Sequence, residues 1–435
     1  MYSILICYLG TTRLGFTWLG LLPGPVHWTA AALGILTPWL LARDAVFACA
    51  LAPLLFNLFS AWAAWRFFGK RRPRGGVSTG DYAPPVSNLK PVCGLERDTY
   101  ENFASFCRLD YPQYEILFAA QADDPVVPVI RRLMGDFPDR SIRLILSPQR
   151  ADTPDKVAKL CQLAGEARHE LLVISDSDVR VSPGYLRSVV APFADPRVGG
   201  VTALYRAAQP AKSFGVIMDA VGSSGSFMGA ALAGQALEGL KFALGPTMAT
   251  RREILGEIGG FEGLLDLHSD DYEFGKRIAD RGYRMELARD PIDMQFSSPS
   301  LGVHMRHELR WLVGVRHVRP GGHLGMLFTL GLPWALAAAL ISPSVGVASA
   351  WMGAYLVLRL GCGYVIGIWG LKDPVLRRWL WLLPFYDALF TCNWFASFFV
   401  NRIEWRGLVF KLDHGRMVPV GAHANRNASL AKDTR

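Results

Sequence analysis

The sequence predicts an α/β protein whose mostly parallel, Rossmann-like sheet lies between membrane helices near both ends of the chain. Three observations predict it. Short apolar runs alternate with helix-periodic stretches through the middle of the chain, the pattern of βαβ units. Residues 171–178 read Leu-Leu-Val-Ile-Ser-Asp-Ser-Asp, a buried strand ending in two acids one residue apart. The flanks are uncharged over span-length stretches, and 51% of the 435 residues are hydrophobic, including 13 Trp. That composition is too apolar for an ordinary soluble enzyme and long enough for a domain plus an anchor.

In chain order, residues 1–44 are apolar, and 14–42 carry no charge but are broken by Pro23, Pro25 and Pro38. The stretch is too long for a signal peptide and lacks a small-residue cleavage site; an extra span, an interfacial segment or an early start codon all fit it. Residues 45–65 are uncharged and long enough to cross a ~30 Å hydrocarbon core. Arg66, Lys70, Arg71, Arg72 and Arg74 follow in a basic linker, 66–84, which places that end in the cytoplasm by the positive-inside rule. Charges are frequent from Asp81 to Arg319, and no stretch there is expected to span. Residues 324–346 and 347–371 can each cross, although Arg359 must then face a neighbour or water. The third stretch, 379–400, holds Pro384, Asp387 and Asn393, and is either a span or a re-entrant hairpin. Three crossings would put the basic tail, 401–435, outside, against the charge rule. The net charge of +9 sits largely beside the membrane and calls for no nucleic acid. The seven cysteines show no metal-binding spacing.

In the middle domain, strands are expected at 86–89, 114–120, 143–146 and 171–175. Helices are expected at 100–108, 126–137 and 155–167, the last opened by Thr153-Pro154. Open α/β sheets place ligands at the carboxyl ends of their strands. Asp176 and Asp178 emerge there, suited to a hard divalent cation carrying phosphate oxygens; the same residues also suit a helix N-cap. Asp123 and Asp124 follow the second strand, placed to bind a nucleotide or to close an Asx turn before Pro125. Lys156 follows the third strand and can reach a diphosphate or simply face water. His268-Ser269-Asp270-Asp271-Tyr272 opens a helix running through Asp280, where the helix dipole favours acids and a general base also fits. Arg306-His307-Glu308-Leu309-Arg310-Trp311 precedes the membrane segments, as an interfacial belt or a pyrophosphate clamp.

Together these residues resemble the ceramide glucosyltransferase family of GT-A glycosyltransferases, over about Val86 to Pro320. The likeness rests on Leu89-Lys90-Pro91-Val92-Cys93-Gly94, Asp123-Asp124-Pro125, Asp176-Ser177-Asp178, Asp270-Asp271-Tyr272 and Arg310-Trp311 in that order. The resemblance implies a cytoplasmic GT-A domain at 85–320 and Asp271 as catalytic base. It implies Asp178 as ligand of Mg²⁺ or Mn²⁺. Asp123, Asp124, Lys156, Asp176, His307, Arg310 and Trp311 would bind the nucleotide sugar. His307 stands where the family's box carries Gln or Arg, so its charge would titrate near neutrality. Among bacterial members the chain is most similar to the hopanoid-associated branch, through the Gly/Ala-rich 222–236 stretch. That similarity implies a UDP-sugar donor, with N-acetylglucosamine passed to a lipid acceptor such as bacteriohopanetetrol, at the cytoplasmic face of a bacterial inner membrane. Transfer to ceramide or a sterol-type lipid is the nearest alternative. A polysaccharide synthase is a further one, as is a scaffold built on an inactive fold.

Overall fold

The computed structural model describes residues 25–69, 82–147, 155–208, 211–265, 267–405, 408–413 and 415–420. Thr153, Pro154 and the cluster at residues 70–74 lie outside them. The chain forms two units, Met1–Ala48 and Cys49–Arg435. Helix α1 spans Pro25–Gly69. Its stretch Pro38–Gly69 is long and apolar enough to cross a membrane, which extends the expected 45–65 span in both directions.

The larger unit is built on an eight-stranded sheet of order β3-β2-β1-β4-β7-β6-β8-β5. Strands β1 (Val86–Pro91), β2 (Tyr114–Gln121), β3 (Ser141–Ser147) and β4 (Leu171–Ser175) are parallel neighbours. Helices α2 (Thr99–Cys107), α3 (Val127–Asp136) and α4 (Asp155–Glu166) connect them in the expected alternation. Beyond β4 the sheet becomes mixed. Strand β7 (Thr247–Arg251) runs antiparallel to both β4 and β6 (Val198–Ala207). Strand β6 pairs in parallel with β8 (Arg284–Met294), and the short β5 (Val179–Arg180) closes the edge.

Strand β4 is buried along its whole length because both sheet faces are covered. Its side chains alternate between two cores. Leu171 and Val173 join Val86, Phe103, Ile116 and Phe118 on one face, while Leu172 and Ile174 join Leu89, Leu117, Leu160 and Met248 on the other. The register Leu89↔Ile174 and Pro91↔Ala119 brings the carboxyl ends of β1, β2 and β4 to one edge. The antiparallel pairing Thr247↔Ser175 delivers Gly245 and Pro246 to that edge as well.

Two expectations about the membrane change. Phe214–Glu238 is long and apolar enough to span, contrary to the expectation of none between Asp81 and Arg319, but 72% of its most apolar window is buried inside the protein. It comprises α5 (Phe214–Gly222), one π-helical turn (Ser223–Phe227) and α6 (Met228–Glu238). Its glycines explain the small-residue composition. A Cβ on Gly222, Gly225 or Gly229 would meet Tyr386, Leu383 or Ile366 at 2.4–2.6 Å. In addition, the described part of the expected basic tail is an antiparallel sheet, β9 (Arg402–Trp405), β10 (Leu408–Asp413) and β11 (Arg416–Pro419). It packs Ile403, Phe410 and Leu412 on Val313 and Leu309.

After the eight-stranded sheet, α8 (Leu301–Val318) leads into Pro320–Thr329 and Gly331–Leu340, a pair bent by 49° that is long enough to cross only as one span. Val345–Gly370 is a second candidate. Within it Arg359 faces a neighbour as expected: its guanidinium donates to both carboxylate oxygens of Asp387, at 2.8 and 2.7 Å, and Tyr355 donates to the same carboxylate at 2.7 Å. The third expected stretch contains Leu383–Ala396, whose 14 residues extend only about 21 Å as an α-helix, short of the hydrocarbon core.

Candidate active site

Strand β4 ends at Ser175, so the chain delivers Asp176 and Asp178 at the edge just described. Lys156, at the start of α4, places Nζ 2.8 Å from Asp176 Oδ1 and 4.0 Å from Asp270 Oδ2. Burial opposes the ammonium charge, but Asp176, Asp270 and Asp271 outweigh it and hold its pKa above the ordinary lysine value. Asp270 and Asp271 open helix α7 (Asp270–Asp280), with acids in the first turn as the dipole favours. The Asp271 carboxylate accepts from the backbone N–H of Tyr272 at 2.7 Å and of Gly245 at 3.1 Å. Burial, then the neighbouring Asp270, lift its pKa to about 6 in spite of these bonds and Lys156.

Gly245 is the meeting point of these groups. A Cβ there would lie 3.3 Å from Asp271 Oδ2, 3.6 Å from Lys156 Nζ and 3.9 Å from Asp176 Oδ2. The junction joins residues almost a hundred positions apart in the chain.

Among the described residues no group of three or more His, Cys, Asp and Glu side chains forms a metal cage. Asp178 nevertheless suits one ligand position of a cation that also carries substrate phosphates. Its Oδ1 is buried without a hydrogen-bond partner, and burial with the Asp176 charge pushes its pKa up to about 7. Such a carboxylate gains from a cation.

The remaining expected residues divide. Asp123 is exposed beyond β2 at the shared edge. Asp124 is not available as a ligand: its two oxygens accept from the Gly94 N–H at 3.0 and 2.9 Å, and Oδ1 also accepts from the Val126 N–H at 2.9 Å. It closes the turn, the Asx reading of the same residues. Trp311 and His307 line a separate cavity, where Trp311 meets the Phe227 ring edge-on at 5.4 Å. Burial, then Arg310, lowers the His307 pKa, so this position of the box presents a largely neutral ring at pH 7. Arg310 also acts on His268, at the entry to the Asp270–Asp271 turn; burial and then Arg310 lower the His268 pKa to about 4.

Lys90 is the residue the sequence reading passed over. It is fully buried on β1, stands 3.5 Å from the Phe106 ring centroid, and donates to the Asp176 carbonyl at 3.0 Å. Burial lowers its pKa to about 7 against the pull of Asp176 and Asp178. A lysine within a strand buried on both faces was the available signal, since such positions are almost never lysine unless paired.

The cavity has a volume of about 420 Å³. It is lined by α1, the Ser223–Phe227 turn, α8 and the membrane helices, including Phe56, Phe227, Trp311, Ile366 and Phe390. Tyr205 on β6 is part of its wall and senses the charges of Asp271 and Asp178, so cavity and carboxylate cluster are neighbours.

The family model of glycosyl transferase family 21 matches residues 45–418. Ceramide glucosyltransferase 3 of Caenorhabditis elegans is 26% identical over 247 residues, covering 56% of this chain and 53% of its own length. The ceramide glucosyltransferase of Gibberella zeae is 29% identical over 150 residues, 32% of this chain and 28% of its own. The chain thus spans about half, or less, of the length of the curated relatives it matches. Among solved structures, a mannosyltransferase from Pyrobaculum calidifontis in complex with GDP-Man and Mn²⁺ is 20% identical, with 81% of this chain and 98% of that one covered and a TM-score of 0.47. Glucosyl-3-phosphoglycerate synthase from Mycobacterium tuberculosis is 14% identical, with 63% and 88% covered and a TM-score of 0.35.

Proposed function

The chain belongs to glycosyl transferase family 21, and we propose that it is an inverting membrane glycosyltransferase moving a sugar from a UDP donor to a lipid hydroxyl. The observation that carries this reading is the Gly245 junction. There a carboxylate with a pKa near 6, held by two backbone N–H groups, faces a Lys–Asp pair at the carboxyl edge of the sheet.

In this reading the donor's nucleotide lies along the edge between Asp123 and Asp176. Lys156, already balanced between Asp176 and Asp270, turns part of its charge to the diphosphate. Asp178 would hold Mg²⁺ or Mn²⁺, which when bound neutralises charge on the departing diphosphate. Asp271 accepts the proton of the acceptor hydroxyl as that oxygen attacks the anomeric carbon from the face opposite UDP. A pKa of about 6 makes it a stronger base than an ordinary aspartate and still leaves it mostly ionised at pH 7. Trp311 and His307 line the acceptor's approach, with Arg310 beside them on the same helix.

The finer reading names N-acetylglucosamine as the sugar and a hopanoid polyol as the acceptor. Its support is the Gly/Ala-rich 222–236 stretch, which lines the cavity. The packing role of Gly222, Gly225 and Gly229 accounts for part of that composition, which weakens this support. The catalytic face is proposed to be cytoplasmic, where UDP-sugars are made, in a bacterial inner membrane.

The test is transfer from radiolabelled UDP-N-acetylglucosamine or UDP-glucose into the organic phase by membranes holding the full chain. Asp271→Asn is expected to bind UDP normally and to lower transfer by roughly 10²–10⁴-fold. An active Asp271→Asn beside an inactive Asp270→Asn assigns the base to the other acid. No labelled lipid with either donor overturns the reading.

A further inference from the structure

The cavity beside the carboxylate cluster contains hydrogen-bonding groups that the protein does not satisfy. His304 Nδ1 lies 2.7 Å from Asp219 Oδ1, with the two side chains only 4% and 7% exposed. The pairing with the Asp219 carboxylate at Nδ1 fixes the orientation of the ring and leaves Nε2 as the ring atom that can meet a ligand. Nε2 is buried without a hydrogen-bond partner. Its near neighbour Glu308 is 4.0 Å away and is already engaged, accepting from Tyr386 at 2.6 Å and from Asn393 at 2.9 Å. Ser60, on α1, presents a second such atom: its Oγ is buried, lines the same cavity and has no partner. Buried polar groups are rarely left in this state.

We propose that the cavity seats the acceptor lipid and that His304, oriented by Asp219, and Ser60 form a subsite for the hydroxyls of its uncharged head. This rests on the reading of the chain as a lipid glycosyltransferase and specifies the acceptor's chemistry. Each alternative occupant fails on one feature of the wall. A plain hydrocarbon suits Phe56, Ile366 and Phe390 but leaves Nε2 and Oγ unmet. A phosphate-bearing head would face Asp219, Glu308 and Asp387, while the Arg359 guanidinium is spent on Asp387, the Gly225 carbonyl and Ser226. A neutral head with hydroxyls both donates to Nε2 and pairs with Oγ. Tyr205 lines this cavity and lies within electrostatic reach of Asp271 and Asp178, so a head held here is on the carboxylate cluster's side of the protein. His304 is a specificity-determining contact in this scheme, and Asp219 a positioning residue.

The experiment measures equilibrium binding of radiolabelled hexadecane-1,2-diol and of 1,2-dimethoxyhexadecane to the full chain in detergent micelles. The two probes share a chain, but only the diol donates hydrogen bonds. The wild type is expected to prefer the diol by about tenfold, as sites built around a hydroxyl do. His304→Ala and Ser60→Ala should each reduce that preference to threefold or less, with diether affinity unchanged. UDP binding reports the fold of each variant; if His304→Ala loses it, Ser60→Ala decides alone. No diol preference in the wild type means that water alone fills the site and overturns the proposal, as does a full preference in the folded variants. Sugar transfer is measured in parallel. A diol preference without transfer from any UDP-sugar overturns the transferase reading and leaves the subsite standing, whereas transfer without a diol preference overturns the subsite alone.

Discussion

Replacing Lys156 with Met removes a charge while keeping most of the side chain's length, and the expected result is a displaced pH profile. The position of a Cβ at Gly245, 3.3 Å from Asp271 Oδ2 and 3.6 Å from Lys156 Nζ, means that the two groups stand no more than about 7 Å apart. At an effective dielectric of about 20, opposite unit charges at that separation attract by roughly 2 kcal/mol. Since 1.36 kcal/mol corresponds to one pH unit, losing the ammonium should raise the Asp271 pKa by roughly one to two. The sign follows from the chemistry. A nearby cation favours the carboxylate, so its removal favours the protonated acid, and a protonated Asp271 cannot act as base. The acid limb of kcat for sugar transfer should move from near pH 6 to between about 7 and 8 in Lys156→Met. The assay is the pH dependence of kcat at saturating donor, which separates this effect from weaker diphosphate binding, a KM effect. An acid limb that stays near pH 6 in the variant would refute either the role of Asp271 or the electrostatic coupling assigned to Lys156.

Three further outcomes are expected. Asp178→Ala should abolish transfer, and the wild type should lose activity in excess chelator and regain it with Mg²⁺ or Mn²⁺; full chelator-resistant activity would remove the metal from the scheme. Lys90→Met fills the same buried space but cannot donate to the Asp176 carbonyl, so it should raise donor KM more than it lowers thermal stability, read from kinetics and a melting curve on the same preparation. A single cysteine at Val418 should label from the same side of the membrane as one at Lys276, and one at Ser344 from the opposite side.

Much of the catalytic domain was legible in the sequence. Strand β4 was bounded correctly at residues 171–175, because a strand covered on both faces reads as a continuous apolar run, while β1 and β2 differ from expectation by one or two residues at one end and the edge strand β3 at both ends. Strand-end placement singled out Asp176 and Lys156, and helix-entry placement singled out Asp270 and Asp271, but that the four meet is visible only in the structure. Other contributions were hidden for particular reasons. Asp124 and Asp123 are adjacent acids in one turn, and only the backbone shows that the Gly94 and Val126 N–H groups claim Asp124. Asp219 and His304 lie 85 residues apart, Asp219 on a helix that reads as featureless and small. The i, i+4 spacing of His304 and Glu308 was visible, but not the partner that gives it meaning.

The carboxyl-terminal segment makes a tertiary contact that bears on what charge counting left open. Three crossings after Arg319 would put the basic tail outside, whereas the positive-inside rule asks for it within. The three-stranded sheet that follows Ala396 removes the conflict. Gly415 accepts from the His268 N–H at 3.0 Å, and Arg416 bridges to Leu267, both at the turn that leads into Asp270 and Asp271. A segment hydrogen-bonded to the catalytic turn lies on the same side of the bilayer as the catalytic domain. We propose on this ground that the chain crosses an even number of times between Arg319 and Arg402. In that arrangement the bent pair Pro320–Thr329 and Gly331–Leu340 would supply one crossing and Val345–Gly370 the return, while Leu383–Ala396, about 21 Å long, would turn back without crossing. The same arithmetic explains Asp387: in a helix that does not cross, its carboxylate is held within the protein by Arg359 and Tyr355 rather than facing lipid.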